Sequence, residues 1–278
     1  EVNAPQRHLY HYSLNRFEIG ASLPISDRIR FTVKPFAALA RSVDLTEEDY
    51  PSAPPVVAPV NNFYAGVKSE IVYDNSVSTG LNLIEGTRGK ISFQHYQGLE
   101  NKELSFSQAS IDLRHYQKIY KEIVFAVRGF AGTFFGQSPK KYLLGGMDNW
   151  FFNKTKTTGK TSEGEFNPLG YPLETQDILF VEYATTLRGF DYANIFGNSV
   201  ILANAEFRVP LIRALSSGPI SSNFFRNMQF IAFYDIGTSW SGKPPFSSEN
   251  SVSYEEINTG PDKHFNIKIK NYLNPWLY

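Results

Sequence analysis

The sequence predicts an all-β fold, and specifically an antiparallel transmembrane β-barrel, from three observations. The 278 residues include 23 Phe, 16 Tyr and 3 Trp but only 19% charged residues, a composition that favours strands over helices. Apolar and polar residues alternate with period 2 in segments separated by turn residues, and a helical period is almost absent. The links between these segments alternate in length, which is typical of a membrane barrel.

Eight segments show this alternation, and many are longer than the roughly five to six residues usual in soluble strands. In chain order the predicted strands are 8–24, 28–41, 62–74, 88–97, 104–115, 119–135, 199–209 and 228–237. Strands of this length favour a large barrel. A further strand-like segment, 178–185, lies inside the longest link, where we expect it to add a hairpin or a cap.

The last two predicted strands have the clearest faces. One face of 228–237 is wholly apolar and carries Met228, Phe230, Ala232, Tyr234 and Ile236. In 199–209 an apolar face opposes a polar face that carries Asn204, Glu206 and Arg208. We expect the apolar faces to contact lipid, or a partner that replaces lipid, and the polar faces to line a lumen.

The lengths of the links give the predicted strands a topology. Short links are predicted at 24–28 and 115–119, and long polar links at 42–61, 136–197 and 238–264. Because membrane barrels have short periplasmic turns and long external loops, the proline-rich segment 50–59 belongs in an external loop. Two links, 74–88 and 210–227, are longer than tight turns and fit the alternation less well.

Composition and charge exclude several classes of protein. The 27 basic and 27 acidic residues balance, so the basic surface typical of a nucleic-acid-binding protein is missing. Without cysteine the chain has no disulfide, thiol nucleophile or cysteine-based zinc site. No stretch is long and apolar enough for a transmembrane helix. A soluble β-sandwich or soluble barrel remains open at this point, because both show the same alternation of apolar and polar residues.

Residues with catalytic spacing are scarce. The chain lacks a nucleophile elbow, a P-loop, an HExxH motif and a GxGxxG motif, so we expect neither enzymatic activity nor a cofactor. His8 and His11 would point to opposite faces of an extended segment, so we expect no metal site there.

Two carboxylates on polar strand faces form the best candidate site. Glu206 and Asp235 lie on consecutive strands that are expected to be neighbours, and both face the predicted lumen. Unpaired carboxylates at short range repel each other, so they favour a cation between them. Arg188, at the end of the longest link, is the nearest strong candidate, because its planar guanidinium can bridge two carboxylates. The alternative is that lumen water solvates each carboxylate, as in many porins.

These residues belong to a series of motifs that resembles a known family. The motifs are Leu187-Arg188-Gly189-Phe190, Gly197, Asn204-Ala205-Glu206-Phe207-Arg208-Val209-Pro210 and Phe233-Tyr234-Asp235-Ile236-Gly237. Upstream, the matching segments are Val72-Tyr73-Asp74-Asn75, Gly86-Thr87-Arg88-Gly89 and Gly145-Gly146. In order and spacing the series is similar to the outer-membrane assembly and two-partner secretion superfamily, the bacterial surface antigen barrels of BamA type. The Tyr-, Asn- and Lys-rich composition is similar to that of Bacteroidota members.

The resemblance implies an antiparallel barrel of about sixteen strands, whose sixth external loop folds back into the lumen. It implies that Arg188 is the loop arginine and that Glu206 and Asp235 are its partners. The residues that complete or support the motif are then Gly189, Phe190, Gly145, Gly146, Gly197, Asn204 and Gly237. Roughly forty residues separate Gly146 from Arg188, where the family has very few, so the role of the insertion 147–187 is open.

The resemblance also predicts the domain organisation. Residues 1–278 are expected to form a partial transmembrane barrel, with the long external loop 137–197 folded into the lumen. Because eight strands match the middle of the family's barrel, we expect about five strands before Glu1 and about three after Tyr278. The family's periplasmic domains are not present in this sequence.

The implied function is that of a non-enzymatic protein of the bacterial outer membrane that inserts or exports β-rich client proteins. Its expected partners are outer-membrane lipid and lipopolysaccharide, client β-barrel or secreted proteins, and accessory outer-membrane or lipoprotein subunits, with no nucleic acid. The alternative is a passive porin, or a structural barrel subunit of an outer-membrane complex.

Overall fold

A computed structural model describes most of the chain. The described residues are 10–44, 59–80, 83–146, 176–185, 187–188, 195–216 and 218–242, together with the backbone of 252–258 and 264–270. The predictions for His8, Gly189, Phe190, the proline-rich segment as far as 58 and the insertion between 147 and 175 lie outside the described residues.

The described residues form fifteen strands and few helices. The strands are β1 (Tyr10–Glu18), β2 (Ala21–Pro24), β3 (Ile29–Asp44), β4 (Val60–Asp74), β5 (Val77–Gly80), β6 (Leu83–Gly98), β7 (Phe106–Tyr120), β8 (Ile123–Gly136), β9 (Tyr142–Leu144), β10 (Glu182–Thr185), β11 (Ile195–Gly197), β12 (Ser199–Val209), β13 (Phe230–Trp240), β14 (Val252–Asn258) and β15 (His264–Lys270). The helices are α1 (Leu211–Leu215), α2 (Asn223–Asn227) and the 3-10 helices Lys102–Leu104 and Gln176–Phe180. None of these helices has the length and hydropathy to cross a membrane.

One large sheet contains most of the strands. Its order is β1-β3-β4-β6-β7-β8-β12-β13, with β2 also paired to β3 and β5 to β6. A smaller sheet has the order β10-β9-β11, and β14 pairs with β15. Among the described strands every pairing is antiparallel except that of β9 with β10, so the all-β prediction is confirmed.

All eight predicted strands are present in the large sheet, because period 2 is a local signal that each strand carries by itself. The segment 199–209 matches β12 at both ends, whereas 8–24 divides into β1 and β2, with a break at Ile19 and Gly20. The segment 228–237 begins two residues early, because β13 starts at Phe230 and continues to Trp240.

Two predictions about the links are wrong, and one about the strand-like segment inside the longest link is correct in part. The link predicted at 115–119 belongs to β7, which ends at Tyr120; the turn itself lies at Lys121 and Glu122. The segment 178–185 is only partly a strand, because its first residues belong to a 3-10 helix before β10 begins. The long link predicted at 238–264 contains β14, which pairs with β15.

The sheet has two faces of opposite polarity. Its inner face, defined as the side that carries Tyr64 and Asp235, also carries a set of charged residues comprising Arg16, Lys68, Glu70, Lys90, Asp112, Arg114, Arg128, Glu206 and Arg208. Its outer face carries exposed apolar side chains, namely Phe17, Phe63, Ile71, Ile91, Phe93, Leu113, Phe207 and Tyr234. An apolar outside and a polar inside reverse the pattern of a soluble β-domain and match that of a membrane barrel.

The described residues between 137 and 198, here called the inner loop, lie against the inner face. Tyr142, Leu144 and Phe180 of this loop are buried among aromatic and aliphatic side chains of the sheet, which are Phe36, Tyr64, Tyr96, Phe106, Phe130, Phe134, Val200 and Leu202. The inner loop contacts β1 and β3 at one end of the strand order and β13 at the other. The sheet therefore curves around the inner loop.

The strand directions give the sheet two ends. Links at 25–28, 75–82, 121–122 and 210–229 lie at one end, here called the turn end. The inner loop and the link at 99–105 lie at the other, here called the loop end. The link between β12 and β13 contains the helices α1 and α2 and is the longest link at the turn end. Its structure is described except at residue 217.

Candidate functional site

The inner loop brings Arg188 to the inner face through a small sheet of its own. β9 pairs with β10 in parallel and with β11 in antiparallel orientation, and a bridge between Gly146 and Leu187 extends this sheet. The Leu187 side chain is fully buried, which anchors the chain immediately before Arg188. The position of Arg188 is thus set by backbone pairing and by an apolar anchor.

Two neighbouring strands supply the carboxylates. In the register of β12 and β13, Asn204 lies opposite Asp235, and Glu206 lies opposite Phe233. Glu206 and Asp235 are therefore diagonal neighbours on the inner face, at a separation that one guanidinium can span.

Arg188 bridges both carboxylates. Its Nε donates to Asp235 Oδ2 and its Nη2 to Asp235 Oδ1, each at 2.7 Å, while Nη1 donates to Glu206 Oε1 at 2.7 Å. The backbone N–H of Arg188 donates to Asp235 Oδ2 at 3.0 Å. The two donors on Asp235 make the fork-to-fork pairing that lysine cannot reproduce.

Two further groups complete the pairing of the carboxylates. Arg208 donates from Nε and Nη2 to Glu206 Oε2, at 2.9 Å and 2.7 Å, and Asn204 Nδ2 donates to Asp235 Oδ1 at 2.9 Å. Two arginines thus balance two carboxylates. The side chain of Asp235 is only 1% exposed and that of Arg188 13% exposed, so this ion pair is largely shielded from water.

The ring of Phe233 supports the guanidinium of Arg188 from one side. The Arg188 Cζ lies 3.9 Å from the ring centroid, well within the range of a cation–π interaction. This contact explains why an apolar side chain occurs on the inner face of β13 next to Asp235. Sequence reasoning missed it, because the alternation of β13 alone gives no reason for a phenylalanine at this position.

The glycines of the motif series occur where side chains would not fit. Gly145 and Gly146 have φ values of 114° and 82°, which favour glycine, and the Tyr183 hydroxyl donates to the carbonyl of Gly145. A Cβ on Gly237 would lie 2.7 Å from Leu202 Cβ, and a Cβ on Gly197 would overlap the backbone of Trp240. Gly197 thus allows the inner loop to approach β13, and Gly237 allows β13 to approach Leu202 of β12.

A second charged cluster on the inner face was not predicted from the sequence. Asp112 of β7 accepts hydrogen bonds from Arg114 on its own strand and from Arg128 on β8, between 2.8 and 3.1 Å. In the strand register Arg114 lies opposite Arg128, which lies opposite Asn204, which lies opposite Asp235. The signal that could have revealed this row is the spacing of Asp112 and Arg114, two positions apart in β7, together with the single charged residue of β8, Arg128.

A polar contact at the loop end also fixes the inner loop. Gln108 of β7 donates to the Tyr142 hydroxyl at 2.7 Å and to the Glu182 carboxylate. Burial, together with the nearby Glu182 carboxylate, raises the pKa of Tyr142 above its usual range. The phenol of Tyr142 is therefore neutral at physiological pH and remains a hydrogen-bonding group.

The Arg188 site is a fully paired electrostatic contact between a loop and a sheet. It contains no hydroxyl or thiol nucleophile among the groups that Arg188 contacts. In the described part of the chain no three His, Asp or Glu side chains are grouped so that they could hold a metal ion. The geometry supports a role in holding the inner loop in place.

Comparisons with known proteins identify the fold. No family model matches the chain, and no curated protein matches it in sequence. Among solved structures, the chain is similar to BamA from Haemophilus ducreyi lacking POTRA domains 1–3, with a TM-score of 0.54 and 15% sequence identity. The match covers 95% of this chain and 52% of the BamA chain, so the chain spans about half the length of that structure. The chain therefore has a BamA-like barrel fold.

Proposed function

We propose that the protein is a non-enzymatic outer-membrane barrel that helps to insert or translocate β-rich client proteins. The observation that carries this proposal is the bridge from Arg188, in the inner loop, to Glu206 and Asp235 on β12 and β13. The likeness to the BamA barrel and the apolar outer face support the same conclusion.

The physical basis of such a function is the pairing of strand edges. In lipid every backbone donor and acceptor must be paired, so a membrane sheet is stable when it closes into a barrel. A seam that opens offers an unpaired edge, to which a client strand can add by β-augmentation. A barrel used in this way needs a wall that keeps its shape while the seam opens. We propose that the bridge from Arg188 to β12 and β13 stiffens the wall.

The filled inner face supports an assembly role over a passive pore. Tyr142, Leu144 and Phe180 occupy the space in front of the sheet at the loop end, where the lumen of an open porin holds water. A barrel whose own loop occupies one end of the lumen is suited to act through its wall and its edges.

In this proposal the outer face contacts outer-membrane lipid and lipopolysaccharide, and the loop end lies at the cell surface. Clients are β-barrel or secreted proteins, and accessory outer-membrane or lipoprotein subunits act with the barrel. A protein with this role should affect many other outer-membrane proteins, whereas a porin should affect only the passage of solutes.

Depletion of the protein in its host tests the proposal. We expect the amounts of many folded outer-membrane barrels to fall, and an expressed wild-type copy to restore them. Unchanged barrel levels, together with a stable open conductance of the purified full-length protein in planar bilayers, would instead establish the porin alternative. A loss restricted to the members of one complex would establish the structural alternative.

A further inference from the structure

The link between β12 and β13 exposes large apolar side chains at the turn end. Leu215 at the end of α1 is 79% exposed, and Phe224 and Phe225 of α2 are 72% and 49% exposed. A link between two strands in water would not normally carry two adjacent exposed phenylalanines. These side chains therefore need a partner that the described chain does not supply.

The link is nevertheless fixed to the sheet. Arg213 of α1 forms an ion pair with Glu122 in the turn between β7 and β8. Pro210, directly before α1, is fully buried, and the Phe224 and Phe225 rings pack edge to face at 5.3 Å. The exposed side chains thus project from an element that is held in place next to the strand ends.

The apolar surface of the link continues the outer face of the sheet. Phe207 near the end of β12 and Phe230 at the start of β13 are both exposed on the outer face. Other exposed apolar side chains lie at the same end, in or beside neighbouring turns; they are Leu23, Ile25, Ile119 and Tyr120. Bands of aromatic and aliphatic residues at this level mark the membrane–water interface of a barrel.

A cationic group accompanies these apolar side chains. The Arg226 guanidinium hydrogen-bonds the Asn223 side chain within α2 and makes no ion pair with any described carboxylate. An arginine beside interfacial phenylalanines is suited to bind a lipid phosphate, because the guanidinium pairs well with phosphate oxygens.

We infer that the link 210–229 is an interfacial anchor that inserts Phe224 and Leu215 into the phospholipid leaflet at the turn end. The inference rests on the proposed function, which places the outer face in the membrane and the turn end at its periplasmic side. The lipid class is phospholipid, with Arg226 against a headgroup phosphate. Such an anchor fixes the depth of β12 and β13, the strand pair that binds Arg188.

Site-specific fluorescent labelling tests this anchor. Residues 1–278 contain no cysteine, so Phe224→Cys and Leu215→Cys each introduce one labelling position into this part of the protein. The label is an environment-sensitive nitrobenzoxadiazole dye. The full-length protein is reconstituted into vesicles of phosphatidylethanolamine and phosphatidylglycerol, with and without bromine on the acyl chains near the headgroups. Two control variants are Ala232→Cys, on the outer face of β13, and Lys102→Cys, exposed at the loop end.

We expect shallow bromines to quench most of the emission at positions 224 and 215, and to leave the label at 102 unchanged. If the label at 232 is quenched but those at 224 and 215 are not, the interfacial anchor is wrong, whereas the contact of the outer face with lipid is retained. If the label at 232 is also unquenched in folded protein, the proposed function fails. Shielding of 224 in native outer membranes, without quenching in vesicles, would show that a protein covers the link and would overturn the lipid assignment.

Discussion

Replacement of Arg188 by alanine should release the inner loop from the sheet. Arg188→Ala removes three guanidinium hydrogen bonds, two to Asp235 and one to Glu206, and the contact with the Phe233 ring. The backbone N–H that donates to Asp235 is retained. Only the side-chain tether between the inner loop and the β12–β13 pair is lost.

The free-energy cost of Arg188→Ala depends on the hydrogen bonds that Glu206 and Asp235 retain. Removing one partner of a buried ion pair costs about 3–5 kcal/mol. Glu206 retains both donors of Arg208, and Asp235 retains Asn204, so we expect a value near the lower end, about 3 kcal/mol. Because about 1.4 kcal/mol corresponds to a factor of ten, the population of released loop should rise by roughly a hundredfold. Arg188→Lys should recover only part of this, because an ammonium cannot donate to both carboxylates in the same geometry.

External protease measures the release of the inner loop. With the barrel intact in membranes, trypsin should cut Arg188→Ala between 137 and 197 faster than it cuts the wild type, while the sheet remains folded. Arg208→Ala is the matched control. It removes two hydrogen bonds to Glu206, but Arg208 belongs to β12 and does not tether the loop.

A mutant cycle tests whether Arg188, Glu206 and Asp235 act together. The double variant Glu206→Gln, Asp235→Asn neutralises both partners, so adding Arg188→Ala to it should cost far less loop protection than the same change costs in the wild type. If Arg188→Ala has the same effect in both backgrounds, the three residues are not coupled and the tether is wrong.

Two further predictions each compare two positions on the same strand that have different surroundings. Ile91→Arg, on the outer face, should lower the stability of the barrel in bilayers by about 2–4 kcal/mol, and Ser92→Arg, on the inner face, by much less. In a urea titration, a larger cost for Ser92→Arg would mean that the faces are reversed, and equal costs would contradict the assignment of one face to lipid and the other to the lumen. Gly132→Ala places a Cβ 2.5 Å from the Tyr142 hydroxyl and should displace the inner loop, at a cost of about 1–3 kcal/mol. Gly129→Ala on the same strand meets no atom within 4 Å and should leave protease protection unchanged.

The strands could be predicted from the sequence because each one carries its own alternation. Glu206 and Asp235 were placed on polar faces by that alternation, and the structure places both on the inner face. The end of β7 could not be located, because His115, Gln117 and Lys118 are polar enough to resemble a turn. The turn itself depends on Lys121, which adopts a φ of 49°. Lysine rarely adopts a positive φ, so the sequence does not predict a turn at this position.

Beyond the bridge from Arg188, the contacts of the inner loop with the sheet could not be predicted from the sequence. The segment after Gln176 has the composition of a strand, but tertiary packing overrides this preference, since Phe180 enters the aromatic cluster as part of a 3-10 helix. In the same way, the contact of Phe233 with Arg188 joins residues 45 positions apart in the chain, and only the folded loop brings them together.

The most direct test of the proposed function is insertion of a client barrel by the purified protein. Full-length protein in phospholipid vesicles is mixed with an unfolded outer-membrane barrel, and folding is followed by the heat-dependent shift of the client in gel electrophoresis. We predict faster client folding than in empty vesicles, with the acceleration reduced by Arg188→Ala and retained by Arg208→Ala. Folding at the same rate in empty vesicles and in vesicles that contain the wild-type protein would contradict an assembly function.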